Sequence, residues 1–204
     1  MSQSNAADQR SKRELRRDVL AVRGRLSADE VEANTRSLTR RVLELPEVAG
    51  ADSVAAYVAI GTEPGTGPLL EALRARGTRV LLPVLLPDND LDWAEYEGPE
   101  AFVRAGRGLL EPSGTRLGRE AVTEAGVVLL PGLAVDGRGI RLGRGAGCYD
   151  RVLSRLAYSA SEPARVVLLY DTELVERVPS EEHDRAVDMA VTPAAVHRFG
   201  AAGR

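Results

Sequence analysis

Between residues 11 and 26 the apolar positions fall at Leu15, Val19, Val22 and Leu26, the spacing of a helix that buries one stripe. Lys12 and Arg16 lie at the edge of that stripe, while Arg13, Glu14 and Arg17 point away from it. A second helix is predicted from Ser27, where Ser27 and Glu30 form a capping box. Val31, Leu38, Val42 and Leu45 make its apolar face, and Pro46 ends it. Residues 53–60 are almost continuously apolar, with β-branched and aromatic members, and read as a buried strand. A loop over 61–68 follows, then a helix over 69–76 that Thr66 is expected to cap and Gly77 to close. Residues 79–86 read as the next strand, which completes a βαβ unit with a right-handed crossover.

Further on, 91–96 reads as a short extra strand, and 98–124, broken by glycine and proline, as mostly loop. Residues 126–130 form another buried strand. After it come Pro131-Gly132, an Asp136-Gly137 turn, a loop over 141–150 and a helix from 151 to about 157. Residues 165–170 and 187–191 are the last two strands. This alternation predicts an α/β fold: an open, mostly parallel sheet with helices on both faces, three layers α/β/α. Ligands on such sheets bind beyond the carboxyl ends of the strands. The pattern places one α/β domain over 11–196, with a disordered tail at 1–10 and a flexible tail at 197–204.

Composition narrows the class. The chain has 204 residues and is 44% hydrophobic, enough for a sizeable core. It contains no stretch of about 20 apolar residues, the length of a membrane helix. Residues 1–10 are polar and lack the apolar core of a secretory signal, so a cytoplasmic protein is expected. The single cysteine, Cys148, excludes an internal disulfide and a cysteine zinc cage. Two histidines, His183 and His197, are too few for a His-rich metal site. With a net charge of −3 and 4% aromatics, the chain is a poor candidate for nucleic acid and a better one for small molecules. No obligate protein partner is expected.

Of the 27 basic residues, 26 are arginines and one is Lys12. The bias reads as genome composition. Against it, a surviving lysine either falls by chance or marks a place that needs a compact ammonium rather than a guanidinium fork. Lys12 and Arg16, one helical turn apart, repel unless an anion lies between them. They read either as a solvated flank or as an anion site.

The densest chemistry lies at 141–150. Gly143, Gly145 and Gly147 alternate, flanked by Arg141 and Arg144, immediately before a helix. Glycines let backbone N–H groups converge on an anion, and a helix start adds positive charge. The loop lacks the Gly-Lys-Ser/Thr ending of a Walker A motif, and its G-x-G-x-G spacing is not the Rossmann fingerprint. Strand, Pro-Gly turn, basic glycine-rich loop and helix in succession point to nucleotide phosphates rather than to a flexible turn. Asp150 ends the loop as either an N-cap or a Mg²⁺ ligand beside phosphates. A second carboxylate is available in Glu181-Glu182-His183-Asp184-Arg185, otherwise a solvated charge run. Glu63 lies in the loop after the first strand, at the expected ligand edge, where a lone acid is otherwise solvated. No Ser-His-Asp or Cys-His constellation is present.

In this order the motifs resemble those of the 5-formyltetrahydrofolate cyclo-ligases, also called methenyltetrahydrofolate synthetases. They are Lys12-x-x-Leu15-Arg16, Glu63-Pro-Gly-Thr66, Gly108-Leu-Leu-Glu111-Pro112, Leu130-Pro-Gly with Arg141-Leu-Gly-Arg-Gly-Ala-Gly-Cys-Tyr-Asp150, and His183-Asp184-Arg-Ala-Val-Asp188. The resemblance spans roughly residues 11–192. It implies that Lys12, Arg13, Glu14, Leu15 and Arg16 contact ATP, together with Arg141, Leu142, Gly143, Arg144, Gly145, Ala146, Gly147, Cys148 and Tyr149. It implies Mg²⁺ on Asp150 and Asp184, and folate contacts from Ile60, Glu63 and the stretch 144–148. Lys12, Arg141 and Arg144 would stabilise the charge of a transferring phosphoryl group. Cys148 stands where the family usually has tyrosine, and Ala146 where relatives carry glycine or lysine. The implied reaction joins 5-formyltetrahydrofolate and ATP to give 5,10-methenyltetrahydrofolate, ADP and phosphate. Two other readings of the pattern stand beside it. One is a sugar-phosphate isomerase or CoA transferase on a related sheet, using no ATP. The other is a nucleotide-binding regulator that releases no phosphate.

Overall fold

The computed structural model describes residues 11–181 and 184–200. In chain order the α-helices are α1 (Lys12–Arg23), α2 (Ala28–Glu44), α3 (Pro46–Ala49), α4 (Gly67–Ala75) and α5 (Cys148–Leu156). The strands are β1 (Ser53–Ala55), β2 (Arg79–Leu85), β3 (Leu91–Glu95), β4 (Phe102–Arg104), β5 (Leu110–Pro112) and β6 (Val127–Pro131). After them come β7 (Ala134–Asp136), β8 (Arg141–Leu142), β9 (Ala164–Leu168), β10 (Leu174–Val175), β11 (Met189–Val191) and β12 (Val196–Arg198).

A seven-stranded sheet in the order β12-β11-β9-β6-β1-β2-β3 forms the centre. Its inner pairs are parallel, and the two edge strands, β12 and β3, pair antiparallel. The strands read as unbroken apolar runs because both faces are covered. Val54, Leu82, Leu129 and Val166 face α2 and α4 through Leu38, Val42, Leu69 and Leu73. Their neighbours Ala55, Leu81, Val128 and Val167 face the other way, against Val152, Leu153 and Leu156 of α5 and against Trp93. The predicted three-layer α/β/α architecture is therefore present, with the period-2 alternation dividing each strand between two cores.

The pattern missed a second, three-stranded sheet, β10-β7-β8. Here α1 packs Leu15 and Val19 on Leu133, Ala134, Leu142 and Val178. Ser11 and Glu14 form a capping box at the start of α1, like that of Ser27 and Glu30 at α2. Val22, expected in the α1 stripe, is 44% exposed, and Arg23 is buried instead. Its Nε and Nη2 meet the Glu173 carboxylate at 2.5 and 2.8 Å, and Nη2 also donates to the Gly132 carbonyl at 2.6 Å. A buried guanidinium is tolerated only with such partners.

Other boundaries moved. Residues 56–60, expected in the first strand, leave the sheet after Ala55. Thr66 occupies the N-cap of α4, but its hydroxyl donates to the Tyr57 carbonyl at 2.8 Å and accepts from Ala59 N–H, so it ties down the loop rather than the helix. Segment 98–124 holds the β4–β5 hairpin and a 3-10 helix, Arg119–Glu124, which buries Val122. Residues 197 and 198, expected in a flexible tail, pair with β11 as part of β12. The rest of that tail beyond 200, and the expected tail at 1–10, lie outside the described residues. Among the described residues no helix is long and apolar enough to cross a membrane.

Candidate functional site

At the carboxyl ends of β6, β1 and β2 and the amino end of the antiparallel β3, in that spatial order, the chain encloses a cavity of about 290 Å³. Pro131 and Gly132 follow β6, Tyr57 and Val58 follow β1, Pro83 and Leu85 end β2, and Leu91 begins β3. Ile60 and Glu63 line it from the β1 loop, Leu109, Leu110 and Glu111 from the β4–β5 hairpin, and Arg141 with residues 143–150 from the glycine-rich loop. One end is therefore rich in backbone amides and cations, and the other is walled by leucines.

The glycine-rich loop follows the tight β7–β8 hairpin. Asp136 anchors that hairpin by accepting N–H groups from Arg138 at 2.9 Å, Ile140 at 3.2 Å and Val178 at 3.0 Å. Gly145 and Gly147 have φ of +100° and +75°, where a side chain is strained. A Cβ on Gly145 would lie 3.4 Å from the Arg16 guanidinium carbon. Arg16 closes the same contact by donating Nε–H to the Gly143 carbonyl at 2.8 Å. The loop is thus laid against α1, on the side where the helical wheel puts Lys12 and Arg16.

Arg141 is buried. Its Nη1 donates to the Pro131 carbonyl at 3.0 Å and its Nη2 to Asp150 Oδ1 at 2.6 Å. Its Nε is buried without a hydrogen-bond partner among the described residues. Burial pulls its pKa below the usual arginine value, with Asp150 and, more weakly, Asp184 opposing. Asp150 is neither before the helix nor its cap. The helix begins at Cys148, three residues earlier than expected, with Gly147 as N-cap, and Asp150 sits in the first turn at the cavity wall. The positive end of α5 favours a carboxylate there.

Glu63 is not a solvated loop acid. It is 7% exposed, accepts from Ile60 N–H at 3.0 Å and pairs with Arg144 Nε at 2.9 Å. The glycine-rich loop and the β1 loop therefore meet through one ion pair. Lys12 Nζ lies 2.9 Å from Asp184 Oδ2 and 3.4 Å from Glu181 Oε1. Burial lowers the Lys12 pKa, but the two carboxylates outweigh it and the net shift is upward. Tyr149 is pushed far up by burial and then by Glu63, so its phenol stays neutral. Tyr57, beneath the same wall, is raised by burial in the same way, and its hydroxyl finds no partner among the described residues.

The structure thus gathers Ile60, Glu63, Arg141, Gly143, Arg144, Gly145, Ala146, Gly147, Cys148, Tyr149 and Asp150 around one cavity. Arg16 adjoins it through Gly143, and Lys12, one turn back on α1, pairs with Asp184 and Glu181. Arg13 and Glu14 are exposed on the far side of α1, where Glu14 serves the Ser11 cap. Leu15 and Leu142 are core residues. Among the described residues no group of three or more His, Cys, Asp or Glu side chains could hold a metal by itself. Asp150 is held by Arg141 and Asp184 by Lys12, and His183 lies outside the described residues. The pattern gave no separate role to Glu111, Leu109 or Leu110. An apolar pair followed by one acid within a loop-like segment was the available signal.

The family model for the 5-formyltetrahydrofolate cyclo-ligase family matches residues 8–193. The chain is 40% identical over 189 residues to the 5-formyltetrahydrofolate cyclo-ligase of Mycolicibacterium smegmatis, covering 90% of this chain and 94% of that protein. It is 34% identical over 158 residues to the cyclo-ligase of Escherichia coli K12, covering 76% and 86%. Among solved structures, the 5,10-methenyltetrahydrofolate synthetase of Aquifex aeolicus superposes with a TM-score of 0.79 at 30% identity, over 95% of this chain and 94% of the other.

Proposed function

The chain belongs to the 5-formyltetrahydrofolate cyclo-ligase family, and we propose that it uses ATP and Mg²⁺ to cyclise 5-formyltetrahydrofolate to 5,10-methenyltetrahydrofolate, releasing ADP and phosphate. One observation carries this reading. A single cavity joins a cationic glycine-rich loop to a leucine-walled end, and the Arg144–Glu63 pair ties that loop to the β1 loop at the same cavity. Phosphate and a flat, partly apolar ring are both served by such a space.

The chemistry asks for alignment more than for a protein nucleophile. A formamide carbon is a poor electrophile. The formyl oxygen attacks the γ-phosphorus, the bond to ADP breaks, and an iminium phosphate results. N10 of the same folate then attacks the activated carbon, loses its proton, and the C–O bond breaks to release phosphate. The substrate supplies both nucleophiles, which agrees with the lack of a Ser-His-Asp or Cys-His constellation. Backbone N–H groups of 143–147 would cradle the phosphates, and the Nε of Arg141, without a partner among the described residues, offers a buried donor beside them. Arg144, Arg141 and Lys12 would balance the charge that spreads over the transferring group.

Asp150 and Asp184 would hold the Mg²⁺, since an ion of this kind takes one or two carboxylates and completes its shell with phosphate oxygens and water. When bound, the ion compensates charge on the phosphates. Glu63 and Ile60 would fix the formyl end of the folate against the loop, and burial would keep water from the activated carbon.

The deciding measurement is phosphate release from ATP with and without 5-formyltetrahydrofolate, read together with appearance of the methenyl product. Folate-dependent release matched by product is expected. ATP binding without release would mark a regulator, and carbon chemistry without ATP an isomerase or transferase.

A further inference from the structure

Among the described residues, the leucine-walled end of the cavity contains one charge, Glu111. It sits on β5 beside the end of β2 and is 8% exposed. Its Oε1 accepts the Leu85 N–H at 2.9 Å, which holds the side chain in one orientation. Among the described residues its other oxygen has only the outer guanidinium of Arg116, at 3.9 Å, beyond hydrogen-bond distance. Around it stand Leu85, Leu91, Leu109 and Leu110.

This is more charge than a loop anchor requires. A glutamine carbonyl would accept the Leu85 N–H equally well, and burying a carboxylate costs more than burying an amide. Glu63 differs: its two oxygens are each taken, by Ile60 N–H and by Arg144. Of the two nearly buried carboxylates that line the cavity among the described residues, Glu111 is the one with an oxygen left for a ligand donor. The ligand end it faces is the one farther along the sheet edge from the glycine-rich loop, because β2 and β3 lie beyond β1 from β6.

Resting on the function proposed above, we propose that Glu111 is a substrate-binding residue whose carboxylate accepts the N3–H and 2-amino N–H donors of the pterin ring. A 2-amino-4-oxo pterin carries these two donors side by side on the edge opposite N5. With N5 and its formyl group turned to the phosphates, that edge points toward the leucine end. Paired donors match a carboxylate's two oxygens, and Oε1 keeps a second lone pair after accepting Leu85 N–H. The leucines exclude water and strengthen the contact.

The test is Glu111→Gln, which retains a carbonyl for Leu85 N–H and replaces the other acceptor by an NH₂ donor. Calorimetry measures binding of 5-formyltetrahydrofolate, of its analogue lacking the 2-amino group, and of ATP, alongside Tm. The wild-type protein is expected to bind the analogue roughly ten- to a hundredfold more weakly than the parent, the range for a lost charge-assisted hydrogen bond. Glu111→Gln is expected to lose a similar factor for the parent and to discriminate little between the two, with ATP affinity and Tm unchanged. Unaltered folate binding in Glu111→Gln overturns the assignment. So does a parallel loss of ATP affinity and Tm, which means an anchor. Binding is read without turnover, so folate binding with no phosphate release would defeat the proposed activity while leaving this assignment intact. A wild-type protein that binds no folate defeats both.

Discussion

Lys12 presents the sharpest residue-scale choice. As the one lysine among the basic residues, it places an ammonium between Asp184 and Glu181, one helical turn from the Arg16 that holds the glycine-rich loop. A point charge there can turn toward a phosphate without the planar fork that an arginine brings. Lys12→Arg is therefore expected to weaken ATP binding by about tenfold or more despite keeping the charge, about 1.4 kcal/mol. A titration with unchanged affinity and turnover would return Lys12 to a structural ion pair. Cys148 points the other way. It opens α5, three residues before Arg151, but the proposed chemistry needs no sulfur nucleophile. Cys148→Ser is expected to keep most activity. A fall of about a thousandfold, roughly 4 kcal/mol of transition-state stabilisation, would make the cysteine catalytic.

At the scale of elements, two buried charges position the site from a distance. Arg23 ties the end of α1 to Glu173 and to the Gly132 carbonyl, so the helix that carries Lys12 and Arg16 is fixed against the strand end that carries the cavity. Removing one partner of such a pair leaves an unbalanced charge and costs roughly 3–5 kcal/mol. Asp136 does the same for the β7–β8 hairpin from which the glycine-rich loop departs. Burial opposes its charge, but N–H groups of Val178, Arg138 and Ile140 and the Arg138 guanidinium outweigh this, and its pKa is lowered. The unfolded chain then takes up the proton first, so Asp136 stabilises the fold above its unfolded pKa of about 4, and this contribution is lost as pH falls through the lower folded value. Denaturant titrations from neutral to acid pH are expected to show Asp136→Asn less stable than wild type at neutrality, with the gap closing below about pH 4. A gap independent of pH would mean that packing, not charge, holds the hairpin.

For the whole molecule, ligand binding and folding are one equilibrium. The cavity is assembled from β6, β1, β2, the β4–β5 hairpin and α5, so a ligand held there binds only the folded chain. ATP with Mg²⁺ at a hundred times its Kd is expected to add about 2.7 kcal/mol, or roughly 5–10 °C in Tm for a chain of this size. Asp150→Asn should abolish the Mg²⁺-dependent part of that shift and cut turnover by on the order of a hundredfold, about 2.7 kcal/mol. An undiminished Mg²⁺ shift in this variant would remove Asp150 from the metal site.

Several features were legible in the sequence because they are local. The Ser27–Glu30 cap needs only four residues, the buried strands announce themselves by unbroken apolar runs, and the glycine-rich loop by residues that only a backbone-driven anion site needs in that order. The placement of Lys12 and Arg16 at the border of the α1 stripe also followed from helical period alone. The period could not say that the next buried position is Arg23 rather than Val22, because the carboxylate that compensates it is Glu173, far along the chain. Nor could it see that Glu63 and Arg144 pair, that Lys12 lies on Asp184, or that Leu109, Leu110 and Glu111 leave an apparent loop to wall the cavity. Those contacts exist only once the parallel sheet brings distant segments to a common edge. Periodicity and turn chemistry therefore determined the layers and the loop, and tertiary packing decided which charges are paired, which are buried and which face the ligand.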